Sequence, residues 1–479
     1  MIEQIKVVVT KSDLELIKEG LCWDGREKAI YLLCHSSSHG GSLKLMPFKI
    51  MVPEEKDYVR RSAGYYELSK HFINRALNEA IDTQTDLLQC HIHPNDPAVF
   101  SIIDETEESK FMQHIAEKID GIYHGSLVFG NSLNTIDGWF FDREKNRIVP
   151  IDKVSVIGTD MLEIYLPPRS RLKNFTIDPS LDRTVRAFGT SAVNILGALD
   201  FGVVGASALG GPIIEFLARD KVRSILICDS DEIDETNLNR LPGTTLSDVC
   251  KPKAEFYAKC VEKISPNIKV VPFQQSFYDQ GVQEAFSQTD IIFGCVDSGA
   301  RLSINRLGLS NLIPYFDLGA GIHIENGKPR FVGGQVYSII PGRKACLTCT
   351  GAFNNFMSEF LSHEEREREI KQGYLKSEEE IINPLVHFLD YAIAGIGYHQ
   401  MLKYIWGTDD KEIFSVHFNG VPNKLLQSKC ENAGCINCQQ TGFLGKGDKA
   451  PFMLPQKIED SESKLPLRDK QNRKETLEI

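Results

Sequence analysis

The chain has 479 residues, a length that suggests two to three domains at about 150 residues each. Its 42% hydrophobic and 25% charged residues are those of an ordinary globular protein, and the net charge of -11 argues against a general nucleic-acid or membrane-surface binder. No apolar run reaches the ~20 residues of a membrane span, and the opening residues MIEQIKVVVTKSD read as a strand entering a fold rather than a signal peptide, so the cytoplasm is the expected compartment. Twelve cysteines is many for that compartment. Two pairs, Cys346-x-x-Cys349 and Cys435-x-x-Cys438, read there as metal ligands rather than disulfides. No internal repeat is visible.

Residues 1 to about 160 read as an α+β unit. Residues 14–20 form a short helix, and 28–34 and 44–52 are strands. Over 67–82 the residues Leu68, Phe72, Ile73, Leu77 and Ala80 share one helical face. A strand is expected over 87–93. Residues 101–119 then form a helix opened by a serine cap and acidic first-turn residues. Strands over 125–131 and 135–141 follow.

The chemistry of this unit sits at the end of the 87–93 strand. His91 and His93 project to the same side of a strand, and Asp104, one turn into the next helix, faces back toward them. Two imidazoles and one carboxylate make a three-ligand zinc site with a fourth position for water. Ser101, at the helix start, is a candidate donor to a developing oxyanion. The best candidate for a general base is Glu27, at the head of EKAIYLLC, with Glu55 and Glu67 as weaker choices. Histidines merely satisfied in a core are the plainer reading of the same residues. The spaced set His91-x-His93, seven residues, Ser101, two residues, Asp104 resembles the JAB/MPN (JAMM) metalloprotease family over roughly residues 1–150. The resemblance implies that His91, His93 and Asp104 bind a catalytic zinc and that Glu27 activates its water. It also implies a ubiquitin-like substrate, trimmed at its C-terminus or released from a conjugate.

Residues 161–180 are rich in Pro, Ser and charge and read as a linker. A helix over 191–198 leads into a βαβ unit. Residues 201–204 are its first strand, Gly205, Gly210 and Gly211 bracket a tight turn, 212–218 are helical, and 224–228 form a second strand ending on Asp229. Phosphate is expected at the helix N-terminus and Asp229 at a ribose. Ser207 stands where the usual fingerprint has its middle glycine. A helix over 254–264 follows. Strands are expected over 270–273, 290–294 and 314–319, with Arg301 starting a helix, and 328–340 is antiparallel strand material.

Asp229-x-Asp231, Asn237-Leu238-Asn239-Arg240, Lys253, Cys295-Val296-Asp297 and the two cysteine pairs occur in that order. This set is similar to the ThiF/MoeB-type adenylyltransferases of the ubiquitin-activating superfamily, over about residues 181–442. The resemblance implies ATP over the glycine turn of Gly205, Ser207 and Gly210, with Asp229 on the ribose and Asp231 beside it. It implies phosphate contacts from Asn237, Arg240 and Lys253, and magnesium on Asp297. Arg186 would reach into the site of a partner subunit. Cations are needed there, because a carboxylate attacking an α-phosphate brings negative charge against negative charge.

Thioester-forming relatives carry a nucleophilic cysteine after the first cysteine pair, and residues 351–429 contain none. Cys250, in a loop beside Lys253, is one candidate, and a small partly buried residue is the plainer reading of it. The pairs Cys346/Cys349 and Cys435/Cys438 fit a closed, tetrahedral structural zinc site, with Cys430 a spare and a redox pair the lesser option. A helix over 385–406 lies between the two pairs.

The expected fold class is α/β: an N-terminal α+β JAMM-like domain (1–160), the linker (161–180), a Rossmann-like ATP-binding domain of the ubiquitin-activating superfamily (181–445) and a flexible tail (446–479). The expected function is bifunctional, with zinc-dependent trimming or deconjugation of a ubiquitin-like protein and ATP-dependent adenylation of its C-terminal glycine. One alternative is activation of a sulfur carrier for cofactor biosynthesis, and another is a non-enzymatic carrier-binding scaffold. Zinc at both sites, ATP and magnesium are the expected cofactors. The expected partners are the carrier, a conjugating enzyme and a second copy of the chain, with neither nucleic acid nor membrane.

Overall fold

The computed structural model describes residues 2, 4–118, 123–170, 172, 177–296, 300–325, 328–343, 345–350, 386–411, 413–420, 423–430, 435, 437–438 and 442–450. The first half is built on one sheet. Its elements run β1 (Gln4–Thr10), α1 (Lys11–Leu21), β2 (Ala29–His39), β3 (Ser42–Met51), a separate hairpin of β4 (Tyr58–Ser62) and β5 (Tyr65–Leu68), α2 (Lys70–Thr83) and β6 (Asp86–Ile92). Then come α3 (Ile102–Lys118), β7 (His124–Phe129), β8 (Ile136–Asp142), β9 (Arg147–Pro150), β10 (Lys153–Ile157) and β11 (Leu162–Tyr165). The nine-stranded order is β11-β10-β1-β3-β2-β6-β7-β8-β9.

Both faces of this sheet are buried around the first half of β2, which is apolar at every position from Ala29 to Cys34. Ile30, Leu32 and Cys34 enter the core under α1, while Ala29, Tyr31 and Leu33 enter the core under α2 and α3. The helices start where side chains can cap them. The Thr10 hydroxyl accepts from Asp13 N and the Ser69 hydroxyl from Phe72 N. The Ser69 cap and the β5 strand displace the expected 67–82 helix, so Glu67 and Leu68 lie in the hairpin instead.

The second half is a doubly wound sheet. Its elements are α4 (Asp182–Gly197), β12 (Asp200–Val204), α5 (Gly210–Arg219), β13 (Ser224–Cys228), α6 (Lys253–Ile264), β14 (Lys269–Phe273) and α7 (Gln280–Phe286). β15 (Ile291–Gly294), α8 (Ala300–Ser310), β16 (Tyr315–Glu325), β17 (Lys328–Ile339), α9 (His387–Trp406), β18 (Ser415–Gly420) and β19 (Asn423–Ser428) complete it. The order β14-β13-β12-β15-β16 is parallel, and β17, β18 and β19 continue it antiparallel. α4 is longer than the expected 191–198 helix. Gly189, at φ 84°, kinks it and hides the continuity from a periodicity reading.

The halves are welded together. Val8, Met46, Ile157 and Leu162 of the first sheet belong to the core of the second half. Beside them, Lys6, Lys44 and Lys153 stand in one register row across β1, β3 and β10. Lys6 Nζ lies 2.5 Å from Asp200 Oδ2 and 3.4 Å from Asp290 Oδ1. Lys153 pairs with Asp290 and donates to Ala198 O at 2.9 Å, and Arg223 pairs with Asp200. Lys44 reaches the carbonyls of Thr289 at 2.9 Å and Asn311 at 3.5 Å. Burial would raise both aspartate carboxyls, but the surrounding cations outweigh it and hold them below the usual range. Burial pushes Lys153 down to about 8.

Two stretches expected as linker and tail carry structure instead. Leu162–Tyr165 pairs with β10 inside the expected linker. Residues 446–450, at the start of the expected tail, dock on the first half: Ser38 N donates to Asp448 Oδ2 at 3.0 Å and Lys449 Nζ to Thr83 O at 2.5 Å. Residues 451–479 lie outside the described residues, as does the whole insert 351–385. No helix among the described residues is long and apolar enough to cross a membrane.

Asp290→Ala leaves two buried ammonium groups short of a counter-charge. It is expected to cost about 3–5 kcal/mol, read as a fall in the denaturation midpoint. Asp290→Ala combined with Lys153→Met is expected to recover part of that loss.

Candidate functional site

His91 is the penultimate residue of β6 and is fully buried. His93 lies just past the strand end, where its N–H donates to Phe129 O at 2.8 Å. The two Nε2 atoms are 3.0 Å apart, and His93 Nε2 is 3.2 Å from Asp104 Oδ2. One ligand atom from each of His91, His93 and Asp104 falls within 4.8 Å of the others. Asp104 is held by a reciprocal cap: Ser101 N donates to Asp104 Oδ2 at 2.9 Å, and Asp104 N donates to the Ser101 hydroxyl at 3.1 Å. Burial would raise the Asp104 carboxyl, but His93 and Ser101 pull it far below the usual range. Two imidazole nitrogens and one carboxylate converging in this way fit a zinc ion with a further position left for water.

Glu27 precedes β2 and is 5% exposed. Ala29 is the register partner of His91, so Glu27 comes level with His93 across the β2–β6 pair. Burial raises its carboxyl, and the two histidines oppose that rise. Glu55 and Glu67 are spent elsewhere, on Arg26 and Arg61 and on Arg60 respectively. A cavity of about 290 Å³ opens on the cluster, lined by Glu27, Tyr66, Gln89, Ser101, Asp104 and Glu108 among others.

Glu108 went unnoticed in the sequence. Its Oε1 lies 3.1 Å from His91 Nδ1 and accepts from Gln89 Nε2 at 3.0 Å and the Tyr66 hydroxyl at 3.2 Å. Its Oε2 accepts from the Ser126 hydroxyl at 2.5 Å. A carboxylate on Nδ1 leaves Nε2 of His91 as the free face toward His93 and Asp104. Burial disfavours charge on His91, and Glu108 more than compensates. The available signal was spacing: Glu108 follows Asp104 by four residues, one helical turn on the same face.

The second site lies at the carboxyl ends of β12, β13 and β15, where open α/β sheets bind ligands. Gly205 has φ 91°, and a Cβ there would meet Cys295 O at 2.5 Å; one on Gly210 would meet Gly205 O at 1.8 Å. Ser207 is not among the positive-φ residues, so this position does not demand glycine. Asp229 clasps the turn, its Oδ2 accepting from Ala206 N at 2.7 Å and its Oδ1 from Asp231 N at 2.9 Å. Burial raises its carboxyl. Lys253 opens α6 with its Nζ 2.8 Å from Asp231 Oδ2. A cavity of about 300 Å³ is lined by Gly205, Ser207, Asp229, Asp231 and Lys253, and by Phe277 and Tyr278 from the loop after β14, which sequence reading missed.

The remaining expected residues lie around this cavity or apart from it. Asn237 is buried and closes a short turn, its Oδ1 accepting from Asp234 N at 3.3 Å. Arg240 Nη1 donates to Thr236 O at 2.8 Å and to Asn239 Oδ1 at 3.2 Å. The Arg186 side chain is 79% exposed and pairs with Asp182. Asp297 lies outside the described residues, although Val296 and Ala300 on either side line the cavity. Cys250 is exposed, with φ 68°.

The four paired cysteines meet in space. Sγ separations are 3.8 Å for Cys346–Cys349, 3.7 Å for Cys346–Cys435 and 3.7 Å for Cys349–Cys438. A tetrahedron of Zn–S bonds of about 2.3 Å has edges of about 3.8 Å, so the donor set fits zinc. Cys430 is half-buried and outside the cluster, and all twelve cysteines are free of disulfides.

The ThiF family model matches residues 181–435. The chain belongs to the ThiF family. Among curated relatives, it is 32% identical over 124 residues to "Adenylyltransferase and sulfurtransferase UBA4" of Meyerozyma guilliermondii, covering 26% of this chain and 29% of that protein. It is 32% identical over 149 residues to the "NEDD8-activating enzyme E1 catalytic subunit" of Schizosaccharomyces pombe, covering 31% and 32%. To the "Sulfur carrier protein ThiS adenylyltransferase" of Escherichia coli it is 27% identical over 104 residues, covering 22% and 41%. The chain thus spans less than half the length of each. The ThiF match takes in the glycine turn, Asp229, Lys253 and Cys346, Cys349 and Cys435 of the cysteine cluster, and begins after the histidine cluster.

Glu108→Gln is expected to weaken zinc uptake at the histidine cluster by about 10–100-fold in chelator competition, while the cysteine cluster of the ThiF domain keeps its metal.

Proposed function

We propose that this chain is an ATP-dependent adenylyltransferase that activates the C-terminal carboxylate of a small ubiquitin-like or sulfur-carrier protein. The observation that carries the reading is the ThiF match over residues 181–435, whose span contains a cavity walled by the Gly205 turn, Asp229 and Lys253. In this reading the carrier carboxylate attacks the α-phosphorus of ATP, the bond to the bridging oxygen breaks, and pyrophosphate leaves. The backbone of the Gly205–Gly210 turn allows close approach of the phosphates, and Asp229 takes the ribose. Lys253 exchanges Asp231 for a phosphate, and Arg240 and Asn237 supply further contacts. Asp297 is the proposed magnesium ligand, and magnesium would offset charge on the departing pyrophosphate. The exposure of Arg186 is compatible with a role across a homodimer, which is also part of the proposal.

The relatives' names span sulfur carriers and ubiquitin-like modifiers. The sulfur-carrier reading is favoured by the lack of any cysteine over 351–429, since a thioester needs a thiol. Cys250 stays the candidate thiol for the other reading. A conjugating enzyme is a partner only in that second case.

A peptidase activity for the first half is a second proposal, motivated by the convergence of His91, His93 and Asp104 beside buried Glu27. Zinc held there would supply Lewis acidity to a carbonyl and to water. Glu27, its carboxyl raised by burial, is suited to take a proton and return it to the leaving amine. Ser101 is the proposed oxyanion donor. The substrate would be a C-terminally extended or conjugated form of the same carrier.

Carrier-dependent exchange of pyrophosphate into ATP is expected for the native chain and should fall at least about 100-fold in Lys253→Ala. No exchange with any small glycine-ending carrier would sink the adenylation reading and leave the scaffold reading. Glu27→Gln is expected to retain zinc by elemental analysis and lose cleavage of a carrier fusion; retained cleavage would remove Glu27 from the mechanism.

A further inference from the structure

A third cavity, of about 260 Å³, lies in the seam between the two halves and belongs to neither site above. Its floor is one face of β13 and β14, where Leu226, Val271 and Phe273 point the same way and are half-buried. The tip of the β2–β3 hairpin, His39 to Ser42, closes over it from the first half.

The polar part of the lining is unbalanced in charge. Lys6, Arg223 and Lys269 line the cavity, and Asp200 is the one carboxylate among the lining residues. Lys6 and Arg223 already share that carboxylate. Lys269 is exposed and has no acidic partner among the described residues. Gln288, also in the lining, is 9% exposed. Its Nε2 donates to Ser37 and Ser287 hydroxyls at 3.0 Å each, while its Oε1 has no partner. A buried acceptor left without a donor is costly, and a donor on a bound ligand removes that cost.

An apolar floor, an unmet acceptor and surplus cations ask for one molecule with a flat apolar body, an N–H and an anionic group. We propose that the seam binds a nucleoside monophosphate, with the base on the Leu226–Phe273 floor, a base N–H toward Gln288 Oε1, and the phosphate on Lys269 and Arg223. AMP is the natural probe, because consuming an acyl-adenylate releases it. The seam ligand would touch both halves at once. This site stands independently of the adenylation reading, since none of its residues lines the Gly205 cavity.

Calorimetric titration of the full chain with AMP tests it. Two AMP per chain are expected, of which Lys253→Ala removes one. Lys269→Glu is expected to weaken the other by at least about tenfold, from the loss of a charge-assisted hydrogen bond and a reversed charge. Ser42→Trp, which fills the cavity from the hairpin side, should abolish the same binding event by a separate route. Both seam variants should keep the native thermal midpoint and native ATP–pyrophosphate exchange. A single AMP per chain that disappears in Lys253→Ala overturns the proposal, as does seam binding unmoved by both Lys269→Glu and Ser42→Trp. Inorganic phosphate displacing seam-bound AMP with equal affinity overturns the base-binding part. Absence of exchange in the native chain would strike the adenylation reading alone, because the seam stoichiometry is read without turnover.

Discussion

Three lysines in one register row, set against two aspartates, decide how this molecule is put together. Lys6, Lys44 and Lys153 come from adjacent strands of the first sheet, and Asp200 and Asp290 stand at the amino ends of β12 and β15. Stripping water from such groups costs several kcal/mol per ion, so the pairing is tolerated only when every partner is in register. A one-residue slip in β1, β3 or β10 would turn a lysine away from its acceptor. The cluster therefore specifies the docking of the halves more than it strengthens it. Around it Val8, Met46 and Ile157 bring the apolar area that a stable interface needs.

The same cluster leaves the chemistry undisturbed. It uses the amino ends of the parallel strands, while the Gly205 turn and Asp229 use their carboxyl ends. A sheet that bonds its neighbour with one end and its ligand with the other can be fused to a second domain without altering its binding loops. The 2.5 Å approach that forbids a Cβ on Gly205, and the Asp229 clasp on Ala206, are local to the free end.

What could be read in the sequence follows from how local each feature is. His91, His93 and Asp104 were visible because strand and helix geometry fix where residues two and a few apart will point. The cysteine pairs were visible because four thiols in matched spacing have few other uses. Gly205 and Asp229 stood out through the strand–turn–helix pattern around them. Glu108 was hidden because nothing in an acidic helix, ETEES, marks which glutamate turns inward. The lysine row was hidden because a lysine in a strand reads as an edge or surface residue until its register partners are known. The last two residues of β5, Glu67 and Leu68, were absorbed into a helix because ELSKHF carries apolar residues compatible with either period. Residues 446–450 looked like tail because their polar side chains serve docking contacts rather than an apolar face.

The placement of the two clusters bears on how a carrier proposed for both would be handled. From Asp200 to Gly205 is about 16 Å of strand on one side of the weld, and from Ser37 back to Ala29, the register partner of His91, is about 26 Å on the other. The histidine cluster lies past the Ala29 end of one span and the glycine turn past the Val204 end of the other. A carrier used by both sites would meet two separate binding surfaces, one built on each half of the chain.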